Sequence, residues 1–200
     1  MWQALKAAWK QAQEQARMAM SSPISAKNNP DVAAYRDEVL SLFPYTQEAK
    51  VWLSTQVDFE VENLGHTRGG GFWMPDQNKV FLYSAQYEAA IHELAHAWWH
   101  YRREGQEDAM IAVTIRLSEE RDPRYERMHK LASGYIHGIK EQNWPGMLVD
   151  RNDWEMYAGL ASGMMADMRL IPPYVRPFYD GMYVLLPDDA PSPAALAPHN

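Results

Sequence analysis

RGGGFWMPDQNKVFLYSAQYEAAIHELAHAWWH (68–100) is the stretch that decides the fold. Its first half reads as two short strands, 68–74 and 79–84, and PDQN (75–78) between them supplies turn residues for a hairpin. In its second half the alternation gives way to helical spacing, which predicts a helix over 86–103. Upstream, VWLSTQVDFEVENLG (51–65) carries an alternating stretch, Val57, Phe59 and Val61, that suits a half-buried strand. Downstream the pattern offers only helices and loops: helices over 106–121, 123–141 and 151–170, and a short one near 173–182. Pro145-Gly146 and Pro172-Pro173 interrupt that run. A small sheet followed by helices is an α+β arrangement: a small N-terminal β-sheet whose hairpin carries an edge strand, then a helical bundle.

The rest of the chain fits one domain over 1–184. Residues 1–20 repeat Trp2, Leu5, Ala8, Trp9, Ala12 and Ala16 at helical spacing, and SSPISAKNNP (21–30) reads as a loop. Asp31 is placed to cap a helix ending near Phe43-Pro44. The tail 185–200, with four prolines, reads as extended or disordered.

Composition narrows the function. The 200 residues carry a formal charge of −7 and no cysteine. Disulfides and cysteine-ligated zinc are excluded, so any metal must be held by His and carboxylates. Nothing resembles the basic stripe that binds a phosphate backbone, so no nucleic-acid partner is expected. No apolar run approaches the roughly 20 residues that span a bilayer, and Gln, Lys and Glu interrupt every apolar stretch of the N-terminus. The expected location is cytoplasmic.

AAIHELAHAWWH (89–100) carries the chemistry. His92 and His96 are four apart, so a helix places both imidazoles on one face, one turn apart, where they can grip one ion. Glu93 is then close enough to reach a water on that ion without ligating it. A bound Zn2+ lowers the pKa of such a water and polarises a carbonyl, while a carboxylate takes the proton. This is the physical content of H-E-x-x-H. His100 extends the ladder by another four residues, but its rise of about 6 Å along the helix carries it past a tetrahedral ion.

A catalytic zinc wants three protein ligands and an open fourth position. NDWEMYAGLASG (152–163) offers Glu155, an acid among apolar neighbours that needs a positive partner when buried. Asp150 and Asp153 are the alternatives, and either can instead support a ligand histidine. For the oxyanion the donors in range are His137, Tyr157, Tyr174, Tyr179 and Tyr183. Tyr179 and Tyr183 are favoured, because the chain after the glutamate helix can fold back over the cleft.

These residues resemble the gluzincins, the thermolysin-like zinc metallopeptidases with HExxH on one helix and a glutamate ligand on a later one. GFWMPDQNKVFLYS (71–84) is similar to the segment before the thermolysin active-site helix, and WEMYA is similar to the glutamate helix. The resemblance covers about residues 57–165. It implies zinc ligated by His92, His96 and Glu155, with Glu93 as the catalytic base. It also implies Gly71, Phe72 and Trp73 along the cleft, pairing with the backbone of a peptide or protein substrate. Gly159 and Leu160 stand where thermolysin has a Ser-Asp pair, and 59 residues (155 − 96) separate Glu155 from His96. The likeness is therefore to the clan, in a compact form. A metal-stabilised peptide-binding or regulatory module without turnover is the competing expectation, because fold does not give function.

Overall fold

The computed structural model describes residues 24–65, 69–138 and 153–196. The helix expected over 1–20 and the acid Asp150 lie outside them. The described chain is α+β, with a small sheet packed beside helices. Strand β1 (Ile24–Ser25) leads into helix α1 (Pro30–Leu42). The cap of α1 is Asn29 rather than Asp31: its side chain accepts from the N–H groups of Asp31 (2.8 Å) and Val32 (3.3 Å), with Pro30 following. Asp31 sits in the first turn, where the helix dipole favours an acid. Helix α2 (Gln47–Gln56) starts at Thr46, whose hydroxyl accepts from Ala49 N–H at 3.1 Å.

Strands β2 (Asp58–Val61), β3 (Gly71–Met74) and β4 (Lys79–Leu82) complete the sheet, in the order β1-β2-β4-β3. β2 runs parallel to β4, while β3 pairs antiparallel with β4, Gly71 opposite Leu82 and Met74 opposite Lys79. The turn between them is one 3-10 turn, Pro75–Gln77, closed by Asn78 at φ 48, a left-handed conformation that Asn tolerates. β3 is thus one edge of the sheet, with a single paired neighbour among the described residues. Val57, Phe59, Val61, Val80 and Leu82 face the core, whereas Glu60, Phe72, Lys79 and Phe81 alternate with them.

Among the described residues five α-helices follow. α3 (Tyr87–Arg102) is apolar nearly all round; Ile91, Leu94, Ala95, Trp98 and Trp99 are all buried, which makes it the central helix. α4 (Glu107–Glu119) precedes α5 (Glu126–Ser133), and α5 runs on into a π-helical turn, Gly134–Gly138. α6 (Asp153–Gly163) packs most extensively on α3. α7 (Pro193–Leu196) is a single turn near the C-terminus.

Two expected helices are shorter than their patterns. α6 stops at Gly163 instead of reaching 170, because Met165 (φ 49) and Ala166 (φ 60) turn left-handed and Ala166 N–H bonds back to the Ala161 carbonyl at 3.1 Å. The segment near 173–182 yields only the 3-10 turn Arg176–Phe178, since Pro177 removes a donor from its middle. In the tail, residues 184–192 have no helix, and Arg169 donates to the carbonyls of Pro187 (2.7 Å) and Ala190 (2.8 Å). Among the described residues no helix is long and apolar enough to cross a membrane.

Candidate metal centre

α3 and α6 meet with three donors in one place. His92 Nε2 and His96 Nε2 lie 3.0 Å apart. Glu155 reaches both, with Oε2 at 3.3 Å from His92 Nε2 and Oε1 at 3.4 Å from His96 Nε2. Among the described residues this is the group whose ligand atoms converge tightly enough to hold an ion. Zinc bonds of about 2.0–2.1 Å in a tetrahedron space their donor atoms about 3.3 Å apart, so the triangle is of the right size. The helices explain the geometry. One turn of α3 separates the two histidines, and α6, which packs most extensively on α3, carries Glu155 to them.

The electrostatics follow from crowding. Burial opposes the charge on Glu155, but the hydrogen bonds and charges of His92 and His96 outweigh it and hold its carboxyl well below the usual carboxylate range. Burial also opposes protonation of His92, yet Glu155 and Glu93 beside it raise its pKa overall. Glu93 is 5% exposed, and burial is the main reason that its pKa is raised. A carboxylate with a raised pKa is a better proton acceptor near neutral pH.

The edge strand touches this centre through Glu93. The Trp73 backbone beside Glu93 favours the charged carboxylate, a small effect against that of burial. Gly71 lies so close that a methyl group there would sit 3.1 Å from Glu93 Cγ and 2.8 Å from a Leu82 methyl, and would overlap the Phe81 carbonyl. Tyr83 N–H bonds the Gly70 carbonyl at 3.1 Å, and antiparallel alternation then turns the backbone of Phe72 towards β4. The backbone groups of Gly71 and Trp73 face outward, away from β4. Phe72 is the correction here: its ring stacks on Phe81 (4.8 Å between centroids) on the opposite face of the sheet, and its backbone is turned inward.

Other expected residues are placed elsewhere. Tyr179 is fully buried and donates to the Tyr157 carbonyl at 2.8 Å. Tyr183 is 2% exposed, packed between Tyr45 and Tyr179. Neither hydroxyl is available to a substrate, so both assignments are withdrawn: the chain after α6 folds into the core instead of over the cleft. Tyr157 belongs to the same stack, and Tyr174 lies under the Arg116 guanidinium, 3.7 Å from its ring centroid. Asp153 is outside the donor cluster; its carboxylate accepts from the Trp99 indole N–H at 2.6 Å. His100 lies against the rings of Trp73 and Trp154, away from the converging donors.

The far ring nitrogens of the two histidines differ in their surroundings. Ser162 Oγ stands 3.5 Å from His92 Nδ1, and His96 Nδ1 is buried with no hydrogen-bond partner among the described residues. Ser162 was not among the expected residues, although its spacing of seven from Glu155 puts it on the same helix face. Tyr135, also unexpected, approaches the site across Gly159. Compared with family models, with curated proteins and with solved structures, the chain has no match in any of the three.

Proposed function

We propose that this chain is a metal-dependent peptidase of the gluzincin type, acting on peptide or protein substrates. The observation that carries the reading is the convergence of His92, His96 and Glu155 within 3.0–3.4 Å of one another, with the buried base Glu93 between them and an edge strand. A divalent ion at these donors, zinc first and other first-row ions next, supplies a Lewis acid that acidifies a coordinated water and polarises a carbonyl. The free edge of β3 pairs with an extended substrate through the backbone groups of Gly71 and Trp73. Glu93 accepts the proton of the attacking water as the new C–O bond forms, and returns it to the amine nitrogen as the C–N bond breaks.

Glu93→Gln keeps the shape and removes the base. Casein hydrolysis by the zinc-loaded protein is expected to fall by about 10²–10⁴-fold. Cleavage at the wild-type rate by that variant rejects the mechanism.

A second reading is a metal-stabilised peptide-binding module without turnover. It is favoured by His96 Nδ1, which among the described residues lacks the acceptor that usually orients a ligand histidine. On that reading wild type and Glu93→Gln both bind peptides and neither cleaves them.

A further inference from the structure

Trp99 of α3 grips α6 at two points that bracket Glu155 in the sequence. Its indole N–H donates to the Asp153 carboxylate at 2.6 Å, and its ring stacks on Tyr157 with 4.5 Å between centroids. Asp153 and Tyr157 are four apart, and Glu155 lies midway between them. All three contacting residues are buried. Arg103, which closes α3, reaches the same first turn of α6. Its Nη1 stands 3.8 Å from Asp153 Oδ2, and its guanidinium lies 4.5 Å from the centre of the Trp154 ring. The buried carboxylate of Asp153 thus has a cation beside it as well as a hydrogen-bond donor.

The metal centre needs such an anchor. His92 and His96 share one helix, so a turn of α3 fixes their spacing. Glu155 comes from another helix, and its distance from them depends on how α6 lies on α3. A slip of one residue would carry it about 1.5 Å along the axis and swing it by about 100°. Metal–ligand distances hold to about 0.2 Å. Apolar burial is non-directional and sets such a register poorly, whereas a hydrogen bond weakens steeply when its angle or length is wrong.

We propose that Asp153 is a positioning residue for the metal centre: its bond to Trp99 sets the register of α6 on α3 and so holds the Glu155 carboxylate where His92 and His96 can share an ion with it. The inference rests on the metal-binding part of the peptidase reading and does not need turnover. Asp153 acts through Trp99 and Arg103, not through a ligand histidine.

The test measures zinc affinity by calorimetry, and the visible absorption of cobalt(II) at the same donors, which reports ligand geometry. Asp153→Ala in the full chain is expected to bind zinc about 10–100-fold more weakly and to change the cobalt spectrum. Trp99→Phe keeps a ring against Tyr157 and is expected to lose affinity to a similar extent. Combined with Asp153→Ala it costs at most about threefold more, because both changes remove one hydrogen bond. Asp153→Asn retains an oxygen that can accept from the indole, and is expected to stay within about threefold of wild type. Val39→Ala, a truncation in the core under α1, controls for lost stability and is expected to keep wild-type affinity. Wild-type zinc affinity in Asp153→Ala or Trp99→Phe overturns the proposal, as does an Asp153→Asn protein no better than Asp153→Ala. An equal loss in Val39→Ala overturns it too, since lost stability then accounts for both. A wild-type protein that binds zinc but cleaves nothing rejects the peptidase reading alone, and one that binds neither ion overturns both.

Discussion

α3 and α6 meet on two faces of opposite character. One face gathers the titratable groups His92, His96, Glu93 and Glu155. The other is a dry aromatic wall: Trp99 stacks on Tyr157 (4.5 Å), Tyr157 on Tyr179 (4.4 Å), and Tyr183 packs on Tyr45 (5.0 Å). Some of its polar ends find partners, Trp99 Nε1 on Asp153 and Tyr179 Oη on the Tyr157 carbonyl. The polar face crowds two imidazoles and two carboxylates into one buried volume, a costly arrangement that a cation relieves. The packed face fixes the helices, and the strained face is where chemistry is available.

The largest effect is expected on the polar face. Glu155→Ala or His96→Ala removes one of three ligands, and zinc retained after gel filtration falls from equimolar to background. Retention of equimolar zinc by either variant breaks the comparison at its root. On the dry face, Tyr157→Ala empties the middle of the aromatic stack. It is expected to cost about 3–5 kcal/mol in chemical denaturation, as large-to-small core changes do. Zinc itself should add about 2.7 kcal/mol at one hundred times its Kd.

pH sharpens the contrast. The raised pKa of His92 means that, without metal, its contribution to stability is complete below the unfolded histidine value of about 6.5 and is lost as pH rises through the folded value. The depressed pKa of Glu155 works the other way: its contribution is present above the unfolded value of about 4.3 and is lost on acidification. Zinc needs His92 deprotonated, so its affinity rises over the window in which the metal-free protein weakens. Thermal unfolding between pH 6 and 8, with and without zinc, should show the two curves diverging. Parallel curves count against a shared site. The smallest effect is expected from Ser162→Ala, whose long contact of 3.5 Å to His92 Nδ1 should be worth about tenfold or less in zinc affinity.

The polar face was the more legible of the two in the sequence. Two histidines at a four-residue spacing and one glutamate in an apolar helix state their chemistry locally, and the hairpin before them announces itself through Pro75 and Asn78. What escaped the pattern depends on distant partners. β1 has two residues inside a loop-like stretch and exists because β2 is there to pair with it. α2 borders directly on β2, and only Thr46 marks its start. Tyr179 and Tyr183 look like cleft residues from their position in the chain, yet the core claims them. Gly159, read as a departure from the thermolysin pattern, acquires a role only once Tyr135 is seen against it.

Anomalous diffraction from crystals grown with zinc, recorded on both sides of its absorption edge, tests the central claim most directly. The account predicts one strong zinc peak bonded to His92 Nε2, His96 Nε2 and Glu155, with a fourth position facing the edge of β3. A peak elsewhere, a site closed by a fourth protein ligand, or no peak between α3 and α6 would contradict it.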